Sequence, residues 1–250
     1  MKNYALLVVF VFVSLKGSGQ GLNAKRQQLV VSFIDAVAHQ QKDKLAVRTA
    51  FPLDRQYPLP QIKNKGDFME RYAEVFDEKL VKMIAGSDPS KDWHEVGWRG
   101  ITLLNGVVWL NYDGMLRAVT YRSAKENALR KRLIEADKKG LYPSVRSFSS
   151  PVAVLETEKY RIRIDDLGAG NYRYACWPLQ STMKDRPQLV LDKGQLIPEG
   201  SGGNHKYVFA NGGYTYECAI FVTGESSGPP AVLSVLRSGK QILKESAFKL

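Results

Sequence analysis

Apolar residues recur at three- and four-residue intervals from Leu22 to His39 (Leu22, Leu29, Val30, Phe33, Ile34, Val37), and this spacing predicts an amphipathic helix. Pro52, Pro58 and Pro60 then interrupt regular structure. The helical period returns with Phe68, Tyr72, Val75, Phe76, Leu80 and Ile84, where Asp67 is the expected N-cap and Gly86-Ser87-Asp88-Pro89 the stop. From Val96 the period switches to two. Asn105-Gly106 and Asp113-Gly114 divide the run from Trp98 to Tyr121 into three short strands of a meander. If both dipeptides form two-residue turns, Ile101 faces Leu110, Arg99 faces Tyr112 and Leu110 faces Arg117. One face then carries Arg99, Ile101, Leu103, Val108, Leu110, Tyr112 and Arg117, and the other carries Trp98, Thr102, Leu104 and Trp109. Ser123 to Lys139 predicts a solvent-facing helix, with Ser123 and Glu126 in capping-box spacing.

The grammar changes after Lys139. Gly140 to Pro151 is rich in Ser, Pro and Gly and carries no period, and beyond it no helix is predicted. Short β-type segments recur instead, at 153–156, 160–164, 172–177, 189–191, 207–209, 214–222, 231–236 and 241–244, separated by glycine-bearing turns. The expected fold class is α+β: N-terminal helices on a curved antiparallel sheet, followed by an all-β small barrel or sandwich. The expected division is a signal peptide at 1–19, a cone-like α+β domain at 20–140, a linker at 141–155 and the all-β domain at 156–250.

Composition then places the chain. Its 250 residues, 44% hydrophobic, supply apolar material for a core in each of two domains. The formal charge of +11 is spread thinly, and the Arg130-Lys131-Arg132 and Lys138-Lys139 clusters are interleaved with Glu126, Glu135 and Asp137, so no nucleic-acid partner is expected. Lys2, the apolar stretch Tyr4 to Leu15 and the small residues up to Gly19 form a secretory signal, too short for the roughly 20 residues of a spanning helix. The expected location is periplasmic or secreted, without a transmembrane anchor. In an oxidising compartment Cys176 and Cys218 are expected to pair. Each closes a Y-x-Y-x-C pattern (Tyr172, Tyr174, Cys176; Tyr214, Tyr216, Cys218), so each shares a strand face with two tyrosines.

No catalytic, metal or cofactor signature stands out. His39 ends a helix among polar residues, His205 lies in a glycine-rich loop, and His94 alone is flanked by two acids, Asp92 and, one residue on from it, Glu95. No G-x-S-x-G, H-E-x-x-H or phosphate loop is present. Arg99 and Arg117 carry more information, because the expected register sets both on an aliphatic face beside Tyr112. Either a helix carboxylate such as Glu70 or Glu74 satisfies them, or they line a pocket for an anionic ligand. Trp98 and Trp109, on the other face, are expected to pack against the following helix or the second domain.

The opening helices, the Trp98-Arg99-Gly100-Ile101 stretch and the N-G and D-G meander resemble the nuclear-transport-factor-two-like superfamily of cone-shaped α+β domains, over about Leu22 to Tyr121. The resemblance implies a sheet curved around a pocket, used for binding in many members and for dehydratase or isomerase chemistry in a few. The second half resembles the small barrel of the periplasmic C-type lysozyme inhibitors, through the loop Gly200-Ser201-Gly202-Gly203-Asn204-His205-Lys206-Tyr207. That resemblance implies Ser201 and Lys206 as binding residues. The family's second loop is represented by Thr223-Gly224, without its lysine. The expected function is a non-catalytic binding protein for a small anionic ligand or an envelope protein, its second domain engaging a cell-wall enzyme or glycan. The alternative is a dehydratase or isomerase using the N-terminal cone.

Overall fold

The computed structural model describes residues 21–200, 202–222 and 228–249. The expected signal peptide, Ser201 and the Thr223-Gly224 dipeptide lie outside the described residues. The chain is α+β. In its first half, α1 (Ala24–Ala38), α2 (Lys42–Val47), α3 (Lys65–Val75) and α4 (Glu78–Ala85) precede a four-stranded antiparallel sheet of β1 (Trp93–Glu95), β2 (Ile101–Leu103), β3 (Val108–Leu110) and β4 (Leu116–Val119). Then α5 (Ala124–Lys139) leads to eight further strands, β5 (Ser150–Glu156), β6 (Tyr160–Gly168), β7 (Asn171–Pro178), β8 (Leu189–Pro198), β9 (His205–Asn211), β10 (Tyr214–Ile220), β11 (Ala231–Arg237) and β12 (Lys240–Lys249). These eight close into an antiparallel barrel.

Local polar groups set the helix ends. The single helix expected from Phe68 to Ile84 is two, because the Asp77 carboxylate accepts from Leu80 N at 2.9 Å and starts α4 afresh. Asn64, rather than Asp67, caps α3, accepting from Asp67 N at 3.0 Å; the Asp67 carboxylate reaches back to Lys63 N. Ser123 caps α5 as expected, with Glu126 N donating to its hydroxyl. The Glu126 carboxylate, however, takes the fully buried guanidinium of Arg55, whose Nε donates to it at 2.8 Å. Arg55 also donates to the carbonyls of Val119 and Tyr121, so one buried pair ties the proline-rich segment, β4 and α5 together.

The inner face of the small sheet is filled. Ile101, Leu103, Val108, Leu110, Leu116 and Val119 are buried against Phe33, Phe68, Leu80 and Ile84 of the helices, and Phe33 meets Trp93 edge-to-face at 5.9 Å. Apolar side chains therefore occupy the space a cone-shaped pocket would need.

The stretch expected to be a linker is packed. Leu141, Val145 and Phe148 join Ile134 of α5 and Ala175 and Trp177 of β7 in a separate core that lies on the outside of the barrel. Beneath it runs a charged network. Arg163 is fully buried and donates through Nε to Asp165 at 2.8 Å and through both terminal nitrogens to Asp137 of α5. Arg173 donates to the second oxygen of Asp165 at 2.6 Å and to the Val145 and Ser147 carbonyls. Arg130, from the basic cluster of α5, donates to the Tyr57 carbonyl and to Ser150, so it too joins the two halves.

Each barrel strand pairs with its neighbour in sequence, and the inward positions follow the period of two. Tyr174, Cys176 and Cys218 are buried in the lumen with Tyr207 and Phe209, and Tyr172, Tyr214 and Tyr216 pack against them. Both Y-x-Y-x-C patterns thus face inward. The two cysteines expected to pair are both buried here, as free thiols. Strands β8 and β9 stand between β7 and β10, so the two cysteines lie on strands that do not pair with each other. Burial pushes the acidity of both thiols down, holding them protonated.

Candidate site on the outer face of the small sheet

The expected placement of Arg99, Tyr112 and Arg117 on one inner face does not occur. Ile101 faces Leu110 as predicted, but the next hairpin closes with three loop residues, Tyr112, Asp113 and Gly114, instead of two. Gly114 takes a φ of 78°, and the Asn111 side chain accepts from Asp113 N and Met115 N, which stabilises this wider loop. Leu110 therefore meets Leu116, and a bulge between Trp109 and Leu110 restores the register toward Val119. The one-residue slip turns Arg117 outward into solvent.

Arg99 leaves the strand for a different reason. Gly97-Trp98-Arg99-Gly100 is a tight turn between two glycines at φ 50° and 109°, closed by Val96 N donating to the Gly100 carbonyl at 2.9 Å. A Cβ at Gly100 would run into the Leu110 carbonyl, so only glycine fits. The turn thrusts Trp98 and Arg99 outward, and Trp98 is 62% exposed. Tyr112 holds the turn from behind: its hydroxyl donates to the Gly97 carbonyl, and its ring lies 4.0 Å under the guanidinium of Arg26, which also pairs with Glu95. Tyr112 is thus a support.

On the outer face His94, Thr102, Trp109 and Ala118 stand in one row across the four strands. Arg99 folds over this row, its guanidinium carbon 5.3 Å from the centre of the Trp109 ring. His94, Glu95, Val96, Arg99, Thr102, Asn105 and Trp109 line an open hollow of about 560 Å³, with Trp98 beside it. Among the described residues Arg99 makes no ion pair, while neighbouring Glu95 is engaged by Arg26. Of the two tryptophans expected to be packing residues, Trp109 lines this hollow and Trp98 faces solvent. The sequence signal was the glycine bracket around Trp98-Arg99, which excludes a continuous strand there.

In the barrel loop, the described Lys206 and His205 already have partners within the chain. The Lys206 ammonium contacts Glu217 at 3.1 Å and Glu199 at 3.6 Å, and the hydrogen bond to Glu217 raises its pKa. His205 contacts the Gly203 carbonyl through Nδ1 at 2.8 Å and meets Tyr207 edge-on. His39 lies at the exposed end of α1 beside Asp35. Among the described residues, no group of three or more side chains could hold a metal ion, and no helix is long and apolar enough to cross a membrane. Compared with family models, curated proteins and solved structures, the chain matches none.

Proposed function

We propose that this chain is an exported, non-catalytic binding protein whose ligand is anionic and carries a flat ring face, as an acidic sugar does, and that it docks on the outer hollow of the small sheet. The carrying observation is the guanidinium of Arg99, stacked over Trp109 at the edge of an open hollow and, among the described residues, free of any carboxylate. A guanidinium in that position holds a carboxylate in a two-pronged hydrogen bond, and the half-buried indole of Trp109 lines the hollow where a ring would lie. The filled inner face supports a binding role over the dehydratase alternative, because Ile101, Leu103, Val108 and Leu110 can neither give nor take a proton there.

Titration of tryptophan fluorescence with an oligogalacturonide tests this reading. A saturable change is expected, weakened about tenfold or more in Arg99→Ala and in Trp109→Ala. A neutral oligosaccharide of equal length is expected to bind more weakly. Equal binding of the two sugars, or an Arg99→Ala variant with unchanged affinity, would reject the site.

A further inference from the structure

The barrel closes by a narrow seam. Along β11 every residue pair from Ala231↔Ala247 to Arg237↔Lys240 is present, apart from one bulge. Toward β5, in contrast, β12 pairs among the described residues only through Phe248↔Glu156 and Lys249↔Leu155. The stretch of β12 from Lys240 to Ser246 therefore presents a free backbone edge, and such an edge pairs readily with an added strand. Beside it lies a cleft of about 440 Å³ lined by Glu156, Thr157, Glu158, Lys244, Glu245, Ser246 and Phe248. Ile242 and Phe248 are exposed on the same strand.

Charge identifies what fits. Three carboxylates and one lysine line this cleft, on a chain whose overall charge is +11. Glu245 points inward and its side chain is 11% exposed; one carboxylate oxygen takes Lys159 at 3.4 Å, and the other is buried with no donor at all. A buried carboxylate oxygen without a partner is costly, and a cationic group entering the cleft would supply the missing hydrogen bond. A second copy of the chain fits poorly. Antiparallel pairing of two β12 edges centred on Lys244, in the regular part of the strand, sets that lysine opposite itself.

We propose that the free edge of β12 and the acidic cleft beside it bind an extended peptide segment of a partner protein, which adds as a strand and places a lysine or arginine on Glu245. The alternation of β12 also shapes the partner. Residues next to the basic one point to the opposite face, where Lys244 favours an acid.

The test uses a labelled heptapeptide of threonine, valine, glutamate, lysine, glutamate, valine and threonine, blocked at both ends, in fluorescence anisotropy with the full chain. Saturable binding is expected. Norleucine in place of the lysine, or Glu245→Gln in the protein, is expected to weaken it about ten- to a hundredfold. The same peptide with alternate backbone amides methylated is expected not to bind. Circular dichroism of Glu245→Gln checks the fold, and the norleucine peptide on the unaltered protein keeps the test decisive if that variant misfolds. The proposal is overturned by no binding, by equal binding of the lysine and norleucine peptides, or by unimpaired binding of the methylated peptide. A dimer in sedimentation that the peptide fails to dissociate would assign the edge to a second copy and overturn it as well.

Discussion

The two antiparallel sheets of this chain obey the same rules, yet their side-chain facing was legible to different degrees. Barrel strands run seven to ten residues and those of the small sheet three or four. In a long strand many ladder pairs share one register, so a slip disturbs all of them at once, and the inward set Tyr172, Tyr174 and Cys176 follows directly from alternation. In a three-residue strand the loop decides. One extra residue in the turn at Gly114 and one bulge at Trp109 suffice to exchange Leu116 for Arg117 opposite Leu110. Alternation is therefore a reliable guide to facing only where the strand outweighs its turns.

The halves also differ in how they bury charge, and this carries the largest expected effect. In the first half one arginine meets one glutamate; at the junction Asp165 is shared between Arg163 and Arg173, and Asp137 takes Arg163 as well. Asp165→Ala would leave the buried Arg173 without a carboxylate and Arg163 with Asp137 alone, and is expected to cost about 3–5 kcal/mol in urea unfolding. Because the network links α5, the 141–148 segment and the barrel, the unaltered protein is expected to unfold in one transition. Two separated transitions, or a loss below about 1 kcal/mol, would show that the halves stand independently.

Core packing sharpens the contrast next. In β8, Gly194 lies under the ring of Phe209, so an added Cβ meets the ring itself. Gly194→Ala is expected to destabilise by about 1–3 kcal/mol, because a filled lumen cannot absorb the methyl group. Gly170→Ala, in an open turn of the same barrel, removes no space and measures the cost of the left-handed backbone alone. Equal losses in the two variants would mean that the lumen is looser than its buried residues indicate.

Much of the fold was open to reading from sequence. Period and turn chemistry locate all eight barrel strands but make most of them too short, since ladder pairing carries a strand past its apolar centre. The charged junction was not legible, because Asp137, Arg163, Asp165 and Arg173 become partners only when α5 lies on β6 and β7. The candidate site was half legible. Arg99 was singled out, but for a face it does not occupy; the glycines at 97 and 100 held the correction. Trp98 and Trp109 were assigned to packing because large aromatics usually pack, and nothing in a linear sequence shows that α5 turns away from their face.

A smaller effect separates a buried hydroxyl from its ring. Tyr72 in α3 stacks on Phe76 at 4.9 Å, and its hydroxyl is buried without a hydrogen-bond partner. Burial pushes its pKa up to about 12. An unfolded tyrosine ionises near 10, so the unfolded chain releases this proton first as pH rises. The contribution is intact below about pH 10 and is lost between about 10 and 12, by roughly 2 kcal/mol. Tyr72→Phe keeps the stack and removes the orphan hydroxyl. It is expected to gain about 1 kcal/mol at neutral pH and to lose less stability than the unaltered protein in alkali. A destabilised Tyr72→Phe would mean that the hydroxyl has found a partner.

The smallest expected effect, that of Arg117→Ala, returns to the short sheet and is read against its neighbour. Leu116 is fully buried opposite Leu110, and Arg117 beside it is exposed. If the bulge is right, Leu116→Ala is expected to cost about 2–5 kcal/mol and Arg117→Ala less than about 0.5 kcal/mol, both read from urea midpoints at equal slope. If the hairpin instead closed with a two-residue turn, Arg117 would oppose Leu110 inside the core and Leu116 would face solvent, and the two costs would change places. The pair therefore reports register without a structure determination, because each substitution controls for the other: both lie on β4, one residue apart, and only the facing differs. Arg117→Ala is also expected to leave oligogalacturonide affinity unchanged while Arg99→Ala lowers it, which separates an outward arginine over an indole from one that merely meets solvent.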